Sequence, residues 1–164
     1  MIVGIDPGLS GALFFLDLNR LSAGEAVDLP VHLLMRGGKK KREVDVSGLI
    51  EILAGRRLEH AFLEQVSAMP GQGVSSVFAF GKIYGVILGV VAAHAIPLTL
   101  VAPAVWKRAL GVPKAKDGAR ASASQLLPEA AAQWRLKKHD GRAEAALLAL
   151  YGARQLGNGT TPLG

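Results

Sequence analysis

The chain opens on Ile2-Val3-Gly4-Ile5-Asp6, an apolar run stopped by Pro7-Gly8, and apolar residues resume over 11–17 before the turn-like Asn19-Arg20. Runs of this kind bounded by turn residues predict two hairpin-connected strands, the first buried on both faces. A third strand is expected within 26–35, followed by Gly37-Gly38-Lys39-Lys40-Lys41-Arg42 as a basic loop or strand tip. Asp45 or Ser47 can cap a helix over 46–57, with Leu49, Ile50 and Leu53 as its apolar stripe. Residues 60–65 form a fourth apolar run, ending near Glu64. The two glycines and the proline of Ser67-Ala68-Met69-Pro70-Gly71-Gln72-Gly73 exclude regular structure there, and Ser75 or Ser76 then caps a long helix to about His94.

Residues 97–102 read as a further strand, and Pro103 starts a short helix to Arg108. A second basic loop spans 111–118, and alanine-rich helices are predicted over about 119–127 and 139–156. Three opening strands followed by alternating helix and strand predict an α/β fold, a mixed sheet covered by helices in which the parallel part comes second. No internal repeat or linker interrupts the pattern. A single domain over 1–157 with a flexible tail over 158–164 is expected.

Composition narrows the function classes. Half of the 164 residues are hydrophobic and a fifth are charged, which suits a folded domain with one aliphatic core. Nineteen Lys and Arg against thirteen Asp and Glu give a net charge of +6, a field that attracts polyanions such as nucleic acid. Cysteine is absent, so disulfides, thiolate nucleophiles and Cys-ligated zinc are excluded, and any metal must be held by oxygen or imidazole. The N-terminus has neither a basic leader nor a small-residue cleavage site, so the protein is expected to stay in the cytoplasm. The most apolar stretch, 83–93, is too short to span a bilayer and carries two glycines. It reads as a buried helix.

Candidate chemistry lies in the acids. Asp6 ends an apolar strand, where an ionised side chain costs several kcal/mol unless a cation or hydrogen-bond donors compensate it; its other use would be to cap the turn at Pro7, Gly8 and Ser10. Ala61-Phe62-Leu63-Glu64 repeats the pattern. Adjacent parallel strands would set Asp6 and Glu64 side by side at one sheet edge, and two such acids repel unless a divalent cation sits between them. Asp140 and Glu144 open the last helix four residues apart, on one face. Oxygen ligands of this kind suit Mg²⁺, with Mn²⁺ as a substitute, and two such ions would support phosphodiester hydrolysis.

Gly4-Ile5-Asp6-Pro7-Gly8 with Gly11-Ala12, then Phe62-Leu63-Glu64, then Asp140-Gly141-Arg142-Ala143-Glu144-Ala145, in that order, resemble the RuvC family of Holliday junction resolvases over nearly the whole chain. The resemblance implies an RNase H-like (ribonuclease H-like) fold with a five-stranded mixed sheet. It also implies a homodimer and Mg²⁺-dependent cutting of four-way junctions or other branched DNA, a hydrolase activity of DNA recombination and repair. It assigns catalysis and metal binding to Asp6, Glu64, Asp140 and Glu144. Asp140 and Glu144 depart by one residue from the family's usual three-residue spacing, and the family's third ligand is sometimes histidine, so His139 stands as the alternative to Asp140. The segment 67–78 is similar to the variant found in phages and prophages, which implies a bacterial or phage-infected host cytoplasm.

The resemblance places the 67–73 loop at the junction centre. Met69 or Phe78 is then a candidate wedge between bases, although for Phe78 the helical pattern favours a core position. Gln72 of the same loop joins the candidate DNA contacts, together with Lys39, Lys40, Lys41 and Arg42 on one edge and Lys107, Lys114 and Lys116 on another. Gly81, Gly85 and Gly89 form a smooth strip on a helix that is apolar nearly all round and therefore expected to be buried, against its own sheet or against a twofold mate. Two other readings stay open: a catalytically silent branched-DNA-binding protein, and a phosphate-loop ATP-binding module suggested by Gly4 to Gly11.

Overall fold

The computed structural model describes residues 1–22, 24–67, 71–115 and 117–157. The candidate residues Met69 and Lys116 and the expected tail over 158–164 lie outside them. Among the described residues the sheet strands are β1 (Ile2–Ile5), β2 (Ala12–Leu16), β3 (Gly24–Asp28), β6 (His60–Glu64) and β7 (Leu98–Val101), and β4 (Val31–Arg36) pairs with β5 (Lys39–Val44) in a separate hairpin. The helices are α1 (Val46–Ala54), α2 (Val74–Ala93), α3 (Pro103–Ala109), α4 (Gly118–Leu126) and α5 (Asp140–Gly157), with 3-10 turns at Pro128–Trp134 and Lys137–His139.

The sheet order is β3-β2-β1-β6-β7. β1 runs antiparallel to β2 and parallel to β6, and β7 continues the parallel half. This is the mixed five-stranded α/β architecture expected from the sequence. Side chains alternate between two cores: Ala12, Phe14 and Leu16 face the α5 side with Phe62, Trp106 and Trp134, whereas Val3, Ile5, Leu13 and Phe15 face α1 and α2. All four residues of β1 are buried, as expected for a strand covered on both faces.

Three local expectations are corrected. The basic segment 39–42, expected as a loop or strand tip, is part of a full strand: Gly37 and Gly38 both take positive φ, at 57° and 73°, the two-residue turn that joins antiparallel strands, so Lys39 to Val44 pair back on Val31 to Arg36. α2 begins at Val74 with Gly73 as its cap and no capping side chain, where Ser75 or Ser76 was expected. Nor is α2 buried all round. Ile83, Ile87, Val90 and Val91 enter the core, while Val74 and Phe78 are 85% and 75% exposed and a Cβ on Gly81, Gly85 or Gly89 would meet nothing within 4 Å. Phe78 is therefore a surface residue. By length and composition α2 could cross a membrane, being longer than the apolar stretch suggested, yet one of its faces is part of the core. Of the two candidate caps for α1, Asp45 is the one used, accepting from the Gly48 N–H.

Candidate active site

Register brings the first two acids together. Ile5 of β1 pairs with Leu63 of β6, so Asp6 and Glu64, the next residues of two parallel neighbours, emerge at the same edge. The Asp6 N–H donates to the Ala12 carbonyl at 2.9 Å, and its Oδ1 accepts from the Gly8 N–H at 3.2 Å, which fixes the carboxylate on the turn into β2. The third acid arrives on α5. Its run of buried small residues, including Ala143, Ala145, Ala146 and Ala149, lets the helix axis lie close across β1 and β2, and Glu144 projects from its first turns to the same edge. One oxygen each of Asp6, Glu64 and Glu144 lies within 4.8 Å of the others.

Two side chains of α3 complete this cluster. Trp106 is fully buried and its indole N–H donates to Glu64 Oε1 at 3.1 Å. Lys107 Nζ donates to Glu144 Oε1 at 2.9 Å and lies 4.9 Å from the Trp106 ring centroid. Among the described residues one lysine, Lys107, opposes the three acids, which leaves the described cluster with surplus negative charge. Burial, then the charge of Glu144 and, after the opposing Gly8 N–H, that of Glu64 push the Asp6 carboxyl up to about 7, with Lys107 also pulling the other way. Burial, then the charge of Glu144, also raises Glu64, with the Trp106 hydrogen bond and Lys107 opposing. Acids this close and this poorly hydrated suit a hard divalent cation. The 4.8 Å spread is little wider than the ~4.2 Å between opposite oxygens around a Mg²⁺ ion bound at ~2.1 Å, so the residues fit such an ion.

The two candidates for the remaining ligand, Asp140 and His139, have partners or surroundings of their own. Asp140 is the first residue of α5, and its Oδ1 accepts from Arg120 Nε at 2.6 Å, in an ion pair that Arg120 shares with Asp117. His139 ends the preceding 3-10 turn with its Nδ1 buried and without a partner, its pKa lowered by burial and by the charges of Arg142 and Lys138. Neither joins the three acids among the described residues. The residue of α5 that faces Asp6 is Gly141: a Cβ there would stand 2.7 Å from Asp6 Oδ2 and 2.5 Å from the Ser10 carbonyl oxygen. Only a glycine permits this approach.

Of the candidate DNA contacts, Lys40, Lys41 and Arg42 are exposed on β5, which Lys39 begins. Arg42 Nη2 donates to the Leu9 carbonyl at 2.8 Å, tying the hairpin to the loop that follows Asp6. Gln72 is exposed before α2 and Lys114 between α3 and α4. Lys107, a further candidate phosphate contact, pairs with Glu144. Sequence reasoning missed Trp106 and Arg120, whose partners lie 42 and 20 residues away. The one available signal was the place of Trp106 beside Lys107 on a helix following the last strand.

Neither a family profile nor a curated protein sequence matches the chain. Solved structures do. T. thermophilus RuvC in complex with a Holliday junction substrate superposes with a TM-score of 0.66 at 20% identity, covering 99% of this chain and 98% of that one. The fold is the RuvC fold. A second Thermus thermophilus RuvC structure matches with a TM-score of 0.62 at 20% identity and 99% coverage of both chains. The RuvC-like architecture expected from residues 4–12, 62–64 and 140–145 is thus the observed one.

Proposed function

We propose that the chain is a metal-dependent endodeoxyribonuclease that cuts four-way junctions or other branched DNA in the cytoplasm, working as a homodimer of single domains over residues 1–157. The observation that carries the reading is the meeting of Asp6, Glu64 and Glu144 at one sheet edge, in a basic protein whose fold matches a RuvC bound to a Holliday junction substrate. The proposed ligand set is Asp6, Glu64 and Glu144. Mg²⁺, or Mn²⁺ in its place, would supply Lewis-acid assistance to phosphodiester hydrolysis in a two-ion arrangement, leaving 5′-phosphate and 3′-hydroxyl ends.

The chain's own groups have separable tasks. Trp106 holds Glu64 in place through its N–H and walls the site with a buried ring. Lys107 balances Glu144, lowering the repulsion that three ionised acids would otherwise bear. The apolar strand ends behind Asp6 and Glu64 keep bulk water from the rear of the site. Basic residues on β5 and after α3 would hold phosphates, so affinity should fall steeply with salt. For the dimer, the support is the open strip of Gly81, Gly85 and Gly89 on α2, which admits close helix approach; a C2 pair would set two sites on opposing strands. Light scattering that gives a monomer at all concentrations would refute the dimer.

The test of the activity is a labelled four-way junction incubated with the pure protein and Mg²⁺ or Mn²⁺, beside a linear duplex and an RNA–DNA hybrid. Selective cutting of the junction is the expected result. Binding without cutting under every metal would leave a silent binding protein.

A further inference from the structure

We propose that the β4–β5 ribbon grips one duplex arm of branched DNA, lying in its major groove with the face of Leu33 and Met35 against base edges and its cations on the flanking phosphates. Among the described residues the two strands pair only with each other. The ribbon is tied to the body at its root: Val44 is buried in the core, the Asp45 N–H donates to the Pro30 carbonyl at 2.8 Å, and Lys82 of α2 pairs with Glu43 at 2.9 Å. Beyond the root the pairing continues to Arg36 and Lys39, and a Cβ on either glycine of the turn would meet nothing within 4 Å. Register sets Leu33 opposite Arg42 and Met35 opposite Lys40, and residues paired in this way share one face of the ribbon. Leu33 and Met35 are each 65% exposed. Lysines guard an open strand edge against pairing with another chain. Two neighbouring apolar side chains held in water do the opposite, and mark a contact surface.

Charge, size and composition make a DNA duplex the occupant. Residues 36–42 carry five Arg and Lys and no acid, which suits phosphates and opposes a second copy, since a twofold pairing of ribbon on ribbon would set cations on cations. Six residues in each strand make a ribbon about 20 Å long, and a major groove about 12 Å wide admits two paired strands. No Phe, Tyr or Trp occurs in 31–44, so the ribbon offers no ring of the kind on which unpaired bases stack. The same face borders the candidate active site: Arg42, which shares it with Leu33 and Met35, donates to the carbonyl of Leu9 at 2.8 Å, in the loop that follows Asp6. An arm seated on the ribbon therefore reaches the carboxylates by way of that loop. The proposal rests on the nuclease reading for its choice of DNA, and its test needs no cleavage.

The experiment measures fluorescence anisotropy in EDTA with a labelled A·T-rich duplex, the same duplex carrying uracil in place of thymine, and an oligothymidylate. Uracil lacks the methyl group that thymine presents in the major groove, so the wild-type protein should bind the thymine duplex about threefold or more tighter than the uracil duplex. The double variant Leu33→Ser, Met35→Ser should weaken thymine-duplex binding by about tenfold, the loss of two apolar contacts. It should also bind the two duplexes alike and leave oligothymidylate binding within about twofold of wild type. Lys40→Ala should lower the slope of log affinity against log salt by about one. Should the double variant fail to fold, Met35→Ser decides alone. Equal wild-type affinity for the two duplexes, an unchanged thymine-duplex affinity in the double variant, an equal loss on the single strand, or a salt slope unmoved by Lys40→Ala overturns the proposal. So does sedimentation showing that the double variant turns a dimer into a monomer, which would assign the face to a second copy. A wild-type protein that cuts no junction would sink the nuclease reading and leave this result standing.

Discussion

Replacing Asp6 with asparagine should make the metal-free protein more stable at neutral and alkaline pH while removing its response to divalent cations. In the folded chain the Asp6 carboxyl is pushed from 3.8 up to about 7, chiefly by burial and by Glu144. Below about pH 4 it is protonated in both the folded and unfolded states, and ionisation costs nothing. Between about pH 4 and 7 the folded state holds the proton that the unfolded state has released, so stability falls as pH rises. Above about pH 7 the penalty is complete. A rise of this size corresponds to on the order of 4 kcal/mol, an upper figure because Glu64 and Glu144 share the repulsion. Asparagine keeps an oxygen that can accept the Gly8 N–H and carries no charge. At roughly 2–4 °C per kcal/mol for a chain of this length, Asp6→Asn should melt on the order of 10 °C higher than wild type at pH 8 in EDTA. The two should converge near pH 4. Adding Mn²⁺ should raise the wild-type melting temperature and leave the variant unchanged. A variant that melts below wild type in EDTA at pH 8, or one that gains as much from Mn²⁺, would refute the reasoning.

Other consequences follow from the same geometry. Gly141→Ala forces a methyl against Asp6 Oδ2 and the Ser10 carbonyl, so it should cost about 1–3 kcal/mol of stability and weaken Mn²⁺ binding, read by thermal melts and calorimetric titration. Trp106→Phe removes the donor to Glu64 and should raise the Glu64 pKa further, shifting the pH midpoint of Mn²⁺ binding upward; an unmoved midpoint would show that the indole hydrogen bond does not tune the site. Asp140→Asn should change Mn²⁺ affinity by less than about twofold, because Asp140 is committed to Arg120 and a surface ion pair contributes little. A tenfold loss in the same titration would return Asp140 to the ligand set.

Asp6 and Glu64 were readable from the chain because an acid at the end of an apolar strand is costly, and two such strands in parallel register must align their ends. Glu144 was singled out by its helical spacing from Asp140 and by the family resemblance, and the structure sets it beside Asp6 and Glu64. Asp140 was a harder case. Spacing of four puts it on the face of Glu144, but as the first residue of the helix its side chain reaches Arg120 on α4, a tertiary partner that no local pattern announces. Gly141 entered only as one letter of the 140–145 motif, and its lack of a side chain is what allows α5 to rest on the Asp6 loop. The hairpin escaped notice because Lys39 to Arg42 show no apolar alternation, leaving only Gly37-Gly38 as a turn signal. α2 misled in the opposite direction. A helix that is apolar nearly all round points to burial, and the sequence could not say that its outer face, with Val74 and Phe78, would stay open.

The measurement that bears most directly on the three-carboxylate site follows cleavage and binding of a labelled four-way junction in parallel, for wild type and Glu64→Gln. Wild type should cut in Mg²⁺ or Mn²⁺ and stop in EDTA, and Glu64→Gln should bind the junction with wild-type affinity yet leave it intact. Undiminished cutting by Glu64→Gln, or cutting that persists in EDTA, would contradict it.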